Sequence, residues 1–378
     1  MEPLRLFQLA NVAMLLVGVG HAVAIGRGAW RSLALAMISG GGAFLLVGNA
    51  VLQGDPTTVS WPLAIHPDAL FARQLDGAAA HTLLALSMGL AVIAAFGGGA
   101  AGRLPSWSIL LAGGLFGGVV APLAARQVWW GELRAAGVVD TSGAIALHLC
   151  AVGVAVALRL IPTRPAGPHA LQSTPRPLAT AAGALIALTG LLAAAVTTTV
   201  MQSPTTVGQA ATNTGLGAVA GFLVGGAIAA LTRAVAPMRG GYSLGPWCGA
   251  LAGAIATTAG AGRLLPLATI LAAIVASAAG TLLSSSIARW LSLRAPAAMV
   301  LTGHFAGAAV AIAGAAAGSS ARPWAQQAAL QALAGLTLTG LAAGLAVAAF
   351  LIARLLATLM PNRANSQAWY TARREVKP

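Results

Sequence analysis

Along the chain, apolar stretches of about 20 residues alternate with short breaks of Arg, Pro and Gly, and that stretch length matches one helical bilayer crossing. The breaks divide the sequence into eleven predicted helices, at 6–26, 31–53, 77–101, 106–126, 137–159, 178–200, 207–232, 244–262, 266–289, 297–319 and 324–356. Between the fifth and sixth lies RLIPTRPAGPHALQSTPRP, which is polar, basic and rich in proline. Five helices stand on either side of it, with one left over. An odd number of crossings per half turns the second half upside down relative to the first, the inverted repeat that many transporters build around a midplane site. The predicted fold is an all-α integral membrane protein with about eleven transmembrane helices, two inverted five-helix repeats plus a final helix. Residues 1–357 form the membrane domain and 358–378 a short basic tail.

Composition agrees with that pattern. The chain has 378 residues, 58% hydrophobic and 7% charged, which leaves too few polar side chains to coat a soluble protein of this size. A net charge of +14 suggests nucleic acid in a soluble protein, but here the arginines stand singly at the ends of apolar runs rather than in a patch. They report topology instead. With the N-terminus outside, the inner loops and tail collect Arg27, Arg31, Arg103, Arg159, Arg164, Arg176, Arg233, Arg239, Arg289, Arg294, Arg354, Arg363, Arg373, Arg374 and Lys377, most of the 21 basic residues. The C-terminus is then cytoplasmic, and the protein is multi-pass in the cell inner (plasma) membrane. Asp55, Asp68, Asp76 and Glu132 fall outside, with Trp61, Trp129 and Trp130 at interfacial depth. The first apolar run has no convincing cleavage site and reads as a retained span rather than a signal peptide. Small residues in GGAFLLVG and GALAGAIATTAGAG predict close helix packing.

Few residues in this setting carry chemistry. Cys150 and Cys248 both lie in apolar segments, so neither a disulfide framework nor a thiolate metal site is supported. No phosphate loop, zinc helix or nucleophile elbow occurs. The reading is therefore a non-enzyme without metal or cofactor. In GVVDTSGAIALHLC, however, an aspartate and a histidine share one predicted span. Asp140 near its outer end reads as a helix cap suited to the positive end of the dipole, and it also favours a cation at a pore mouth. His148 lies roughly 12 Å deeper. His304 sits at a matching depth in the tenth span, and HLCAVGVAVA aligns with HFAGAAVAIA through Val154 and Val310, Ala155 and Ala311, and Ala157 and Ala313. A matched pair in the fifth helix of each half points to function, whereas a lone histidine in a membrane helix is as readily a bundle hydrogen-bonder. His21 and His81 lack such context and read as packing or interface residues.

Three motifs together resemble the ammonium transporter family, the Amt, Mep and Rhesus group. The first comprises Trp130, Gly131, Gly137, Val138, Val139, Asp140, Gly143 and His148. The second comprises Ser243, Leu244, Gly249, Ala250, Ala252, Gly253, Thr258 and Gly262, preceded by Asn213 and Thr214; the third is His304 with Gly307. Their order and span number agree over residues 5 to 355. The resemblance implies a homotrimer, each subunit with a narrow apolar pore. Ammonium is recruited and deprotonated at an outer vestibule, and ammonia passes two facing imidazoles. Carried over residue by residue, Asp140 orients the recruitment site, Trp130 supplies a cation–π contact, and His148 and His304 line the pore.

This sequence departs from the family at the gate. In place of the paired phenylalanines stand Leu84 and Met88 in the third span, and the sixth has no aromatic from Gly190 to Thr199. The tail ANSQAWYTARREVKP lacks the family's acidic and glycine pattern, so regulation by a PII-type protein is not supported. Two alternatives stay open. One is a non-conducting relative that binds ammonium as a sensor or serves as a structural subunit. The other is an unrelated transporter of a small neutral solute whose histidines only pack.

Overall fold

Backbone polar groups in hydrocarbon must find partners within their own segment, and the apolar stretches meet that demand as helices. The computed structural model describes residues 12–54, 66–72, 77–100, 104–161, 177–202, 206–235, 244–317 and 323–359. The first half contains α1 (Leu16–Ile25), α2 (Arg27–Ala43, prolonged through Phe44–Gly48 and Asn49–Leu52) and α3 (Gly77–Gly99). It continues with α4 (Ser106–Leu115, prolonged through Phe116–Val120, Ala121–Ala125 and Arg126–Trp130) and α5 (Ala144–Leu149, continuing as Cys150–Ala157). The second half contains α6 (Pro177–Gln202), α7 (Val207–Val235), α8 (Gly245–Ile255), α9 (Pro266–Trp290), α10 (Ala295–Ala317) and α11 (Trp324–Leu359). Among the described residues, eight helices are long and apolar enough to cross a membrane, and α1 and the segment Ala144–Leu160 are shorter apolar helices. The Pro-rich segment 162–176 and the basic tail from residue 360 lie outside the described residues, as do Asp55, Trp61 and Asp76.

Two predicted spans are only partly helical. The fifth was expected to be helical from 137, yet its helix begins at Ala144, because Gly137 and Gly143 adopt φ of 94° and 82° and turn the chain. The eighth was expected to run to 262, yet α8 ends at Ile255 and gives way to successive turns. Irregular backbone at membrane depth persists only where other groups satisfy it, and the two irregular stretches satisfy each other. Thr141 N–H donates to Ala259 O at 3.0 Å, and Ser142 N–H donates to Thr258 O at 3.0 Å. Neighbouring helices complete the set: Gln327 Nε2 donates to Gly137 O and Gln331 Nε2 to Val139 O, at 2.7 and 3.1 Å. Asn213 of the Asn–Thr pair likewise donates to Leu264 O at 3.0 Å, joined by Gln209 at 2.8 Å.

Small residues bring the helices into contact. Gly217, Gly221 and Gly225 of α7 face Gly253, Gly249 and Gly245 of α8, so close that a Cβ on Gly249 would stand 2.1 Å from Gly221 O. On α1, a Cβ on Gly20 would stand 2.3 Å from Gly183 O of α6. That approach seats the adjacent His21 inside the bundle, where it is buried. On α10, a Cβ on Gly307 would meet Ala252 O of α8 at 2.7 Å, which holds the turn after His304 against α8.

Candidate functional site

His148 lies on a π-helical turn, Ala144–Leu149, whose wider backbone pattern has His148 N–H donating to Gly143 O, five residues back. Such turns recur at functional positions because the extra residue re-aims the side chains around it. His148 Nδ1 stands 2.8 Å from His304 Nδ1 of α10, with ring centroids 4.7 Å apart and planes inclined by 58°. The rings meet edge to edge through their nitrogens rather than face to face. Both are fully buried, and His148 Nε2 has no hydrogen-bond partner.

The other nitrogen of His304 is also engaged. His304 Nε2 lies 2.9 Å from His21 Nε2, with centroids 5.1 Å apart and planes inclined by 80°. His21, expected to pack, thus makes the third member of a line of imidazoles joined through both nitrogens of His304. His21 escapes sequence reasoning because its partner lies 283 residues away. The three rings are strung out rather than convergent, and among the described residues no group of three or more ligating side chains is placed to hold a metal.

Toward the irregular end of α5, Asp140 is buried, and its Oδ2 accepts from the N–H groups of Ile145 and Ala146 at 3.0 and 3.1 Å. It therefore caps α5 as expected from its position, though from three residues before the left-handed Gly143 that immediately precedes the helix. Oδ1 is buried without a hydrogen-bond partner. Of the adjacent tryptophans, Trp129 is buried and its Nε1 donates to Asp140 O at 2.6 Å. Trp130 is 46% exposed and meets Trp129 edge-on at 5.5 Å between ring centroids. A π-helical turn, Arg126–Trp130, presents both rings, a local feature that composition does not encode.

On α3, Met88 is buried and Leu84 half-buried. The α3 ring near Trp129 is that of His81, 6.2 Å away between centroids. On α6, Thr197, Thr198 and Thr199 are buried, and Thr198 Oγ1 lies 2.6 Å from Ser142 Oγ, tying α6 to the irregular stretch before α5. Hydroxyl groups thus occupy the part of α6 where the sequence lacks an aromatic.

Neither a protein-family model nor a curated protein sequence matches this chain. Solved structures do. The Sensor Amt Protein superposes with a TM-score of 0.70 at 16% sequence identity, over 92% of this chain and 92% of its own. Mep2 of Saccharomyces cerevisiae gives 0.72 at 16% identity, over 92% of this chain and 86% of its own. Mep2 of Candida albicans gives 0.66 at 17% identity, over 92% and 83%. The fold is that of the Amt and Mep proteins, the group that the three sequence motifs resemble.

Proposed function

We propose that this protein moves ammonium across the membrane as ammonia, through a narrow apolar pore lined by His148 and His304. The observation that carries the reading is the His148–His304 contact of 2.8 Å, fully buried, with His148 Nε2 left unpartnered. A buried polar atom without a partner costs about 1–3 kcal/mol, and a small molecule that exchanges a hydrogen bond with Nε2 removes that cost. Ammonia meets the requirement with both a lone pair and N–H groups. Carrying the ammonium cation through hydrocarbon demands stripping its water, whereas neutral ammonia needs only weak partners such as an imidazole nitrogen.

In this reading Trp130 and Asp140 form the outer recruitment site. The partly exposed indole offers a cation–π face, and the buried Asp140 acts through its charge and by ordering the start of α5. The finer architecture belongs to the same proposal: eleven crossings over residues 1–357, inverted five-helix repeats, an outside N-terminus, a cytoplasmic tail, a homotrimer in the plasma membrane and no enzymatic step. The site is tested in proteoliposomes. His148→Ala and His304→Ala each abolish ammonium-driven flux, and undiminished flux in both overturns the assignment. If calorimetry detects ammonium binding while flux is absent, the protein is a sensor rather than a conductor.

A further inference from the structure

We infer that His21 completes a three-imidazole chain, so that the proton accepted at His148 leaves through His21 rather than resting on a pair. The inference deepens the conducting reading above and rests on it for its transport arm, but its structural core stands on geometry alone. Each neutral imidazole carries one N–H and one bare nitrogen. Because His304 bonds His148 through Nδ1 and His21 through Nε2, its tautomer fixes both neighbours. Only two arrangements leave both bonds made. In one, His21 Nε2–H donates to His304, and His304 Nδ1–H donates to His148 Nδ1, which leaves the hydrogen of His148 on Nε2. In the other, His148 Nδ1–H donates to His304, and His304 Nε2–H donates to His21 Nε2, which leaves His148 Nε2 bare and the hydrogen of His21 on Nδ1.

Passing from the second arrangement to the first moves exactly one proton along the chain. The proton that ammonium gives up at the pore mouth arrives at His148 Nε2; His148 passes its Nδ1 hydrogen to His304 Nδ1; His304 passes its Nε2 hydrogen to His21 Nε2; and His21 releases its Nδ1 hydrogen to water. Four N–H bonds break, three form on imidazoles and one O–H forms on water, leaving ammonia and hydronium without any change of oxidation state. The rings regain the second arrangement by turning or by a proton returning along the chain. The helices give the line a direction. At the helical rise, His148, His304 and His21 lie roughly 18, 15 and 7 Å from Leu160, Arg294 and Gly26 along their own helices. Those residues gather at one end of the bundle, where Arg294 N–H bonds Gly99 O, Gly28 packs on Gly98, and Leu160 shares a groove with Pro105. His21 is therefore the member nearest that end, opposite the capped start of α5.

The structural arm of the test is nitrogen NMR on histidine-labelled full-length protein in lipid. The chain requires His21 and His148 to share one tautomer and His304 to hold the other, and it requires His21→Leu to release His304 into a mixture. A shared tautomer for His21 and His304, or a His304 signal indifferent to His21→Leu, overturns the chain whether or not the protein conducts. The transport arm uses His21→Gln, whose amide still bonds His304 but cannot relay a proton. Ammonium-evoked current falls by roughly a hundredfold, the usual contribution of a placed proton-transfer group, while ammonia-driven pH change in the same vesicles persists. Equal loss of both readouts assigns His21 a packing role and contradicts the relay, as does an unchanged current. If the wild-type protein carries no flux, the conducting reading fails and the NMR result alone decides the chain.

Discussion

Asp140 serves α5 in two ways that substitution separates. Its Oδ2 takes the N–H groups of Ile145 and Ala146, and its charge lies toward the end of the helix where N–H dipoles converge. Asp140→Asn keeps an acceptor and removes the charge, so thermal melting in detergent stays near the wild-type value while the ammonium concentration for half-maximal flux rises. Asp140→Ala removes both and costs about 1 kcal/mol of stability, as loss of a cap usually does. A large drop in melting temperature for Asp140→Asn contradicts the capping account. The sequence disclosed this cap because the aspartate and the helix it serves are neighbours in the chain. His21 and Trp129 stayed hidden for the converse reason. His21 acquires its meaning from His304, a contact made only when α1 docks, and the choice between Trp129 and Trp130 depends on a π-helical turn.

At the scale of elements, glycine spacing decides which helices touch. Gly217, Gly221 and Gly225 meet Gly253, Gly249 and Gly245 in antiparallel register, with no room for a side chain between the backbones. Gly249→Val forces α7 and α8 apart and costs about 1–3 kcal/mol by overpacking, read as a lower melting temperature. By comparison, Gly215→Ala on the same α7 meets open space and leaves melting unchanged. Equal melting of the Gly249 variant and wild type would show that the interface yields. Small residues in the eighth span announced such packing from the sequence, but their partner helix did not. Apolar periodicity located the helices for a similar reason, since crossing length is a local property. It failed at 137–143 and 256–262, where hydrogen bonds from Thr141 and Ser142 to Ala259 and Thr258 hold non-helical backbone that hydropathy cannot distinguish from helix.

Over the whole molecule, the fold is that of the Amt and Mep structures at 16% sequence identity, and in this chain it rests on apolar length, glycine contacts and a few buried polar bonds. The site follows a different rule. His148, His304 and Asp140 stood out in the sequence because polar groups are costly in lipid, and the structure brings the two histidines to 2.8 Å. Beside Trp129 stands His81, and buried threonines run along α6. Whether this arrangement conducts is decided by an ammonium pulse applied to proteoliposomes of the full-length protein. The account predicts an ammonium-evoked current or an ammonia-driven change of interior pH clearly beyond that of empty vesicles. Traces indistinguishable from empty vesicles contradict it.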